Sequence, residues 1–309
     1  MLTYERLRQR PKHFLSFVGL SVEQFDSYYM EVEKAYASYN RKRLDRIDRK
    51  RAIGAGGKFK LSLKDRMVMS LMWIRLYVSY SILGYMFDLD ESNVYRNIKM
   101  LLPLLRDHLP LPERLRPDLG KIESIGELQR YYPELLSIVD ATEQPVRRPK
   151  GWDRQKPYYS GKRKRHSLKV QLTVNSKGMI MDMSSHCGGR RHDYQLFKDS
   201  GVDSRLPPGI SLYMDKAYQG VKRDYPGRTV YIPKRSSKSR PLTDRERALN
   251  RAISSIRIEI EHVISRMRKY RIFSDCYRNA KSMYDKVALL VAGLVNLRTL
   301  WRLGLNWTS

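Results

Sequence analysis

Two aspartates close short apolar runs and open turns, in Ser137-Ile-Val-Asp140-Ala-Thr and in Leu212-Tyr-Met-Asp215-Lys-Ala-Tyr-Gln-Gly220. Strand ends are where reactive side chains leave an open α/β sheet. Each Asp by itself also fits a turn former or a helix cap. On neighbouring strands, however, the two carboxylates would converge, and their repulsion is unfavourable unless a divalent cation neutralises it. Oxygen-only carboxylate sets suit Mg²⁺ or Mn²⁺. Further along, Glu259 and Glu261 compete for a third acidic position on a long helical stretch. Residues two apart on a helix project to nearly opposite sides, so both cannot face the same ions. His192 and Asp193 follow Gly188-Gly189 at a predicted helix start, where Asp193 fits a plain cap. His186, Cys187 and His192 offer zinc-type donors but no fourth partner, so a zinc site is not expected.

The elements that must position these residues fall into two parts. Residues 61–109 read as helical: Ser62 and Asp65 form a capping pair, and Met67, Leu71, Ile74 and Val78 recur at helical spacing. A helix over Ser81–Phe87, a break at Asp88–Asp90 and a third helix over about Glu91–Pro103 follow helix-turn-helix grammar. The outer face of that third helix carries Asn93, Tyr95, Arg96 and Lys99, which can reach base edges and phosphates. Three prolines among charges mark residues 110–120 as a linker. Beyond it, apolar runs at Leu135–Val139, Ser167–Val174, Met179–Met183 and Ile210–Met214 predict strands, with a hairpin turn at Asn175-Ser-Lys-Gly178. A helical stretch near His192–Phe197 interrupts them, and a long helix covers Thr243–Arg271. The expected class is therefore α+β / α/β: an all-α N-terminal helix-turn-helix domain, then a mixed sheet flanked by helices. The expected divisions are 1–60, a basic helical region; 61–109; the linker 110–120; and 121–309.

The chain has 309 residues, with 60 Lys plus Arg against 32 Asp plus Glu, a formal net charge of +28. Apolar residues at 41% suffice for ordinary cores, which excludes a disordered basic tail. The cations cluster at 41–60, 147–166, 222–251 and 257–281, and a phosphate backbone is their natural partner. No amphipathic or lipidated segment argues for a membrane, and the apolar run Val287–Val295 is about half the length a span needs. Two cysteines and no secretion signal read as a reducing, intracellular setting. Residues 147–166 mix nine Lys and Arg, among them Arg147, Arg148, Lys150, Lys162, Arg163, Lys164 and Arg165, with Trp152 and two tyrosines. Such a segment can track a backbone and stack on unpaired bases; the plainer alternative is a flexible basic loop.

The blocks Val139-Asp140-Ala-Thr-Glu143-Gln-Pro-Val-Arg-Arg-Pro149, Tyr158-Tyr-Ser-Gly161-Lys-Arg-Lys-Arg-His166, His192-Asp193 and Asp215-Lys-Ala-Tyr-Gln-Gly220 together resemble the DDE transposases. Within these the chain is most similar to the insertion-sequence family five group and its Harbinger-like relatives. Arg257, Glu261 and Arg268 match the group's arginine, glutamate and basic-residue signature, although its last position is more often lysine. The resemblance extends to the helix-turn-helix through Leu61-Ser-Leu-Lys-Asp65 and Trp73-Ile-Arg-Leu-Tyr-Val-Ser-Tyr80.

That resemblance implies a ribonuclease H-like catalytic domain with Asp140, Asp215 and Glu261 as catalytic metal ligands holding two Mg²⁺ or Mn²⁺ ions. It implies His192, Asp193, Arg257 and Arg268 as auxiliary active-site residues, and it brings Lys216, beside Asp215, among the DNA contacts. The implied activity is that of a transposase that binds terminal inverted repeats, hydrolyses phosphodiesters and transfers strands to target DNA. A homodimer on DNA is expected, because two ends must be brought together. The setting would be bacterial cytoplasm for an insertion-sequence enzyme, or a nucleus for a Harbinger-like one. Two alternatives are a domesticated, transposase-derived DNA-binding protein without strand transfer, and an RNA-processing protein.

Overall fold

The computed structural model describes residues 1–45, 47, 52 and 57–305; the rest of the basic stretch 41–60 lies outside the described residues. The chain forms two compact units. The first comprises Met1–Pro110, Tyr270–Ile272 and the chain from Leu300; the second comprises Leu111–Lys269 and Phe273–Thr299.

The first unit is helical: α1 (Tyr4–Arg8), α2 (Pro11–Val18), α3 (Val22–Leu44), α4 (Leu63–Leu76), α5 (Tyr80–Phe87) and α6 (Glu91–Asp107). The early helices share this unit's core with the helices of residues 61–109. Tyr4, Phe14 and Phe25 pack ring against ring, and the Tyr4 amide donates to Asp65 Oδ1 at 2.7 Å. Ser62, Ser79 and Asp90 cap α4, α5 and α6 with their side chains. Asp88 turns the chain after α5 in the left-handed region. At Gly84 an added Cβ would stand 2.5 Å from the Leu89 carbonyl oxygen, so only glycine admits this close turn. Arg66 is buried, donating to Asn97 Oδ1 at 2.7 Å and to the Tyr36 hydroxyl at 3.0 Å, with its guanidinium 3.8 Å from the Phe59 ring centroid. The helix α6 extends past the expected stop, carrying Pro103 inside it.

The second unit is built on a seven-stranded mixed sheet: β1 (Leu136–Pro145), β2 (Tyr159–Ser160), β3 (Arg165–Asn175), β4 (Ile180–Met183), β5 (Cys187–Gly188), β6 (Ser211–Met214) and β7 (Val230–Tyr231). β1 is central, antiparallel to β3 on one side and parallel to β6 on the other, with β7 parallel beyond β6. The far edge of β3 is shared by β2, β5 and β4. Its longer helices are α7 (Ile125–Tyr131), α8 (Asp193–Ser200), α9 (Asp244–Arg268) and α10 (Tyr284–Arg302), the last as far as Thr299. α9 begins with a reciprocal capping box between Thr243 and Glu246 and packs across β1, β6 and β3 through Ile253, Ile260, Val263, Ile264 and Met267. The hairpin between β3 and β4 turns at Asn175–Gly178, where Gly178 has φ of 75°. Within residues 110–120, Pro110, Leu111 and Pro112 are buried, and Pro112 opens a short helix, Pro112–Leu115. Among the described residues no helix is long and apolar enough to cross a membrane.

Both faces of β3 are buried from Ser167 to Asn175. One face carries Leu168, Val170, Leu172 and Val174; the other carries Ser167, Lys169, Gln171, Thr173 and Asn175. Most of the polar row is satisfied from within, Thr173 Oγ1 being the exception. Lys169 Nζ lies 2.6 Å from Asp193 Oδ1 and 3.6 Å from Glu143 Oε1, and it donates to the Arg191 carbonyl at 2.6 Å. Ser167 donates to Glu143 at 2.6 Å, and Gln171 Oε1 accepts from the Tyr218 hydroxyl at 3.3 Å.

Candidate active site and nucleic-acid interface

The parallel register of β1 and β6 sets Val139 beside Met214, so the next residues, Asp140 and Asp215, stand level on adjacent strands. Such strands lie about 4.8 Å apart. β1 runs on past Asp140 in its pairing with β3, whereas β6 ends and Asp215 caps the turn Lys216–Tyr218, its Oδ1 accepting from the Ala217 amide at 2.6 Å. Asp215 therefore fills the structural role open to a lone strand-end Asp as well as standing beside Asp140.

Asp140 is largely buried and accepts from Arg257 at 3.2 Å and from the Ala141 amide at 2.8 Å. Burial pushes its carboxyl up to about 6; Arg257 and the amide pull it down, while the negative charges of Asp215 and Asp193 push it up again. Arg257 also has a buried Nε with no hydrogen-bond partner, a donor left over beside the acids. Tyr218 sits among the same three aspartates and is held neutral, first by burial and then by their charges.

Residues 257, 261, 264 and 268 share one stripe of α9 at about 100° per residue. From that stripe Arg257 reaches Asp140, and Arg268 donates to Thr142 Oγ1 at 2.8 Å, two residues along β1. Glu261 lies between these arginines on the stripe and is exposed. Glu259 lies on the opposite side, bound to Arg266 at 2.6 Å over the Gly178 turn. Among the described residues no three His, Cys, Asp or Glu side chains are gathered to hold one ion. The pair Asp140 and Asp215 nonetheless suits a hard divalent cation: both are carboxylates, and the Asp140 carboxyl is raised first by burial, with the charge of Asp215 adding to it. The structure brings this pair together and leaves Glu261 beside it on the neighbouring helix.

His192 is exposed and, rather than Asp193, caps α8. Asp193 is instead tied to buried Lys169. Lys169 and Glu143 carry no local signal: Lys169 takes a polar position of the 167–174 alternation, as a solvent-facing lysine would. His186 bonds Asp285 at 2.9 Å, and burial pushes the Cys187 thiol up to about 11, away from the thiolate a zinc ligand needs. On α6, Asn93, Tyr95, Arg96 and Lys99 are all exposed. Residues 147–166 carry helical turns Trp152–Gln155 and Lys156–Tyr158 and a hairpin joining β2 to β3. Arg147, Arg148, Lys150 and Trp152 are exposed on it, and Lys162, Arg163, Lys164 and Arg165 are exposed at the hairpin tip. Lys216 is exposed next to Asp215. Burial, then Arg163 and Arg165, holds the Arg268 pKa down, which places those cations near the acid site.

Comparison with known proteins gives matches over both units. Residues 139–296 match the DDE superfamily endonuclease family, and residues 59–111 match the helix-turn-helix of DDE superfamily endonuclease. The probable transposase for insertion sequence element IS702 of Microchaete diplosiphon is 30% identical over 285 residues, covering 92% of this chain and 94% of that one. The putative transposase for insertion sequence element IS112 of Streptomyces albus G is 23% identical over 268 residues, covering 86% and 87%. No solved structure matches.

Proposed function

Because the chain belongs to the DDE superfamily endonucleases, we propose that it is an insertion-sequence transposase that binds the terminal inverted repeats of its element, cuts at them and joins the ends to target DNA. The observation that carries this reading is the level pair Asp140 and Asp215 at the centre of a mixed sheet, with Arg257 between them and α9. The strand order supports a ribonuclease H-like domain: β1, β3 and β4 run antiparallel in succession, and β6 and β7 then add parallel to β1.

Asp140 and Asp215 would hold Mg²⁺ or Mn²⁺, with Glu261 completing the set from α9. Two such ions would activate water and stabilise the leaving oxygen in an in-line displacement. The protein's own part is positional. Arg257 holds the Asp140 carboxylate and keeps a spare donor for a phosphate oxygen; Lys169 fixes Asp193 behind the acids; Arg268 anchors α9 to β1. His192 and Asp193 then act as supports rather than ligands. The helices α4 to α6 supply duplex recognition, with Asn93, Tyr95, Arg96 and Lys99 on the reading face. A dimer would pair the two ends. The curated relatives are insertion-sequence proteins, which supports a bacterial rather than a nuclear setting. A domesticated binding protein is not favoured, since Asp140, Asp215 and Glu261 are all present.

The direct test incubates the gene and its native flanks with purified protein and Mg²⁺ or Mn²⁺, beside Asp215→Ala, and maps the products by sequencing. Paired cuts at inverted repeats by the wild type alone are expected. Tight binding without any metal-dependent cut would overturn the catalytic reading. On the recognition side, Arg96→Ala is expected to weaken end binding and to relax base preference by about 1–3 kcal/mol in competition against mutated repeats. An unchanged preference would move recognition off this helix.

A further inference from the structure

We infer that the cavity lined by Arg148, Trp152, Lys156, Tyr159, His166 and Arg190 holds a single unpaired nucleobase at a DNA end. This rests on the reading above and deepens it by naming what the second unit grips beyond the acids. The cavity measures 700 Å³ and carries no acidic side chain in its lining. Trp152 is 75% exposed and Tyr159 43% exposed, so two large aromatic faces stand open to solvent. Tyr159 and His166 meet edge to face with centroids 5.5 Å apart, which fixes the orientation of one wall. Stacked aromatics ringed by cations recognise a base and its phosphate together. A paired base cannot enter, because its faces are covered by its neighbours in the duplex.

The cavity is built rather than incidental. Arg148 donates to Gln155 at 2.9 Å and so pins the turn that carries Trp152. A Cβ at Gly188 would stand 2.2 Å from the Pro157 carbonyl oxygen, and one at Gly189 would stand 2.0 Å from Ser167 Oγ, so this glycine pair lets β5 close against both neighbours. The Arg190 amide then donates to Pro157 at 3.2 Å, which sets Arg190 at the rim. The position also fits. The His166 carbonyl bonds the amide of Val146, six residues along from Asp140 and about 20 Å away. Arg268, bonded to Thr142, and the nearby Arg163 and Arg165 add cations around the acids. A strand whose phosphate lies at the acids can therefore reach the cavity with a base a few nucleotides away.

The test uses the full-length protein in EDTA, so that cleavage plays no part. Binding is measured to a blunt duplex, to the same duplex with a short 3′ overhang, and to one whose overhang is abasic. A 2-aminopurine placed in the overhang reports stacking by its quenching. The base-bearing overhang is expected to bind roughly five- to a hundredfold more tightly than the other two, with quenching. Trp152→Ala should remove that advantage and the quenching while weakening blunt-duplex binding far less, and Trp152→Phe should retain most of the advantage and the quenching. Equal affinity for base-bearing and abasic overhangs would overturn the inference. Because no metal is present, these results stand apart from success or failure of the cleavage experiment.

Discussion

Asp140→Asn is expected to cut metal-dependent DNA cleavage by at least about a thousandfold, the scale seen when one group stabilising developing charge is removed, while making the metal-free protein more stable. The two effects share a cause. Burial and the neighbouring acids hold the folded-state carboxyl near 6, above its ordinary 3.8. A raised acid costs stability wherever it must ionise to stay in equilibrium with solvent. Below about pH 3.8 both folded and unfolded chains are protonated there, and the variant gains nothing. Between 3.8 and 6 only the unfolded chain ionises, so wild-type stability falls as pH rises; above 6 the loss is complete. It amounts to roughly 3 kcal/mol at most. Denaturant unfolding in EDTA should therefore show Asp140→Asn ahead by about 1–3 kcal/mol at pH 8 and level with wild type at pH 3.5. A variant less stable at pH 8 would mean that the ion pair with Arg257 outweighs the burial of the charge.

The second large effect separates two glutamates that lie two residues apart. Glu261→Gln is expected to abolish cleavage on a scale like that of Asp140→Asn, because 261 shares its stripe with Arg257 and Arg268, which both reach β1. Glu259→Gln should cleave within a few-fold of wild type. Its cost lies in folding, about 1–2 kcal/mol, because the half-buried Arg266 would lose its charged partner at 2.6 Å. Single-turnover cleavage together with unfolding of both variants decides the matter. The reverse pattern would identify Glu259 as the third metal-binding acid and turn α9 about its axis relative to this assignment.

Much of this arrangement was legible in the chain itself. The cap Ser62, the break at Asp88–Asp90, the hairpin at Asn175–Gly178 and the two strand-end aspartates each have a local cause, and each appears where its spacing puts it. What was not legible depends on partners distant in sequence. The alternation over 168–174 reads as a strand with one apolar face, yet its polar face is buried too, because Glu143, Asp193 and Tyr218 arrive to satisfy it. β2, β5 and β7 are two residues each, too short for any alternation to show. The prolines at 110 and 112 give no local sign that they are buried and that one of them starts a helix. Likewise nothing local tells that Tyr270 belongs with the first unit, where its hydroxyl donates to the Gly19 carbonyl at 3.2 Å and leaves no room for a Cβ there.

The buried polar row of β3 has a consequence for alignment. An apolar strand can slide past its neighbour by one position at modest cost, since leucine and valine replace one another on either side. Here such a slide would carry Lys169 into the layer held by Leu168, Val170 and Leu172, and would strand Glu143 and Asp193 without their cation. Leaving buried charges uncompensated costs several kcal/mol, far more than the slide could recover. The row thus acts as an index pin for the sheet. It fixes β1 against β3 to the single residue, and so keeps Asp140 level with Asp215 across the other edge of the same strand.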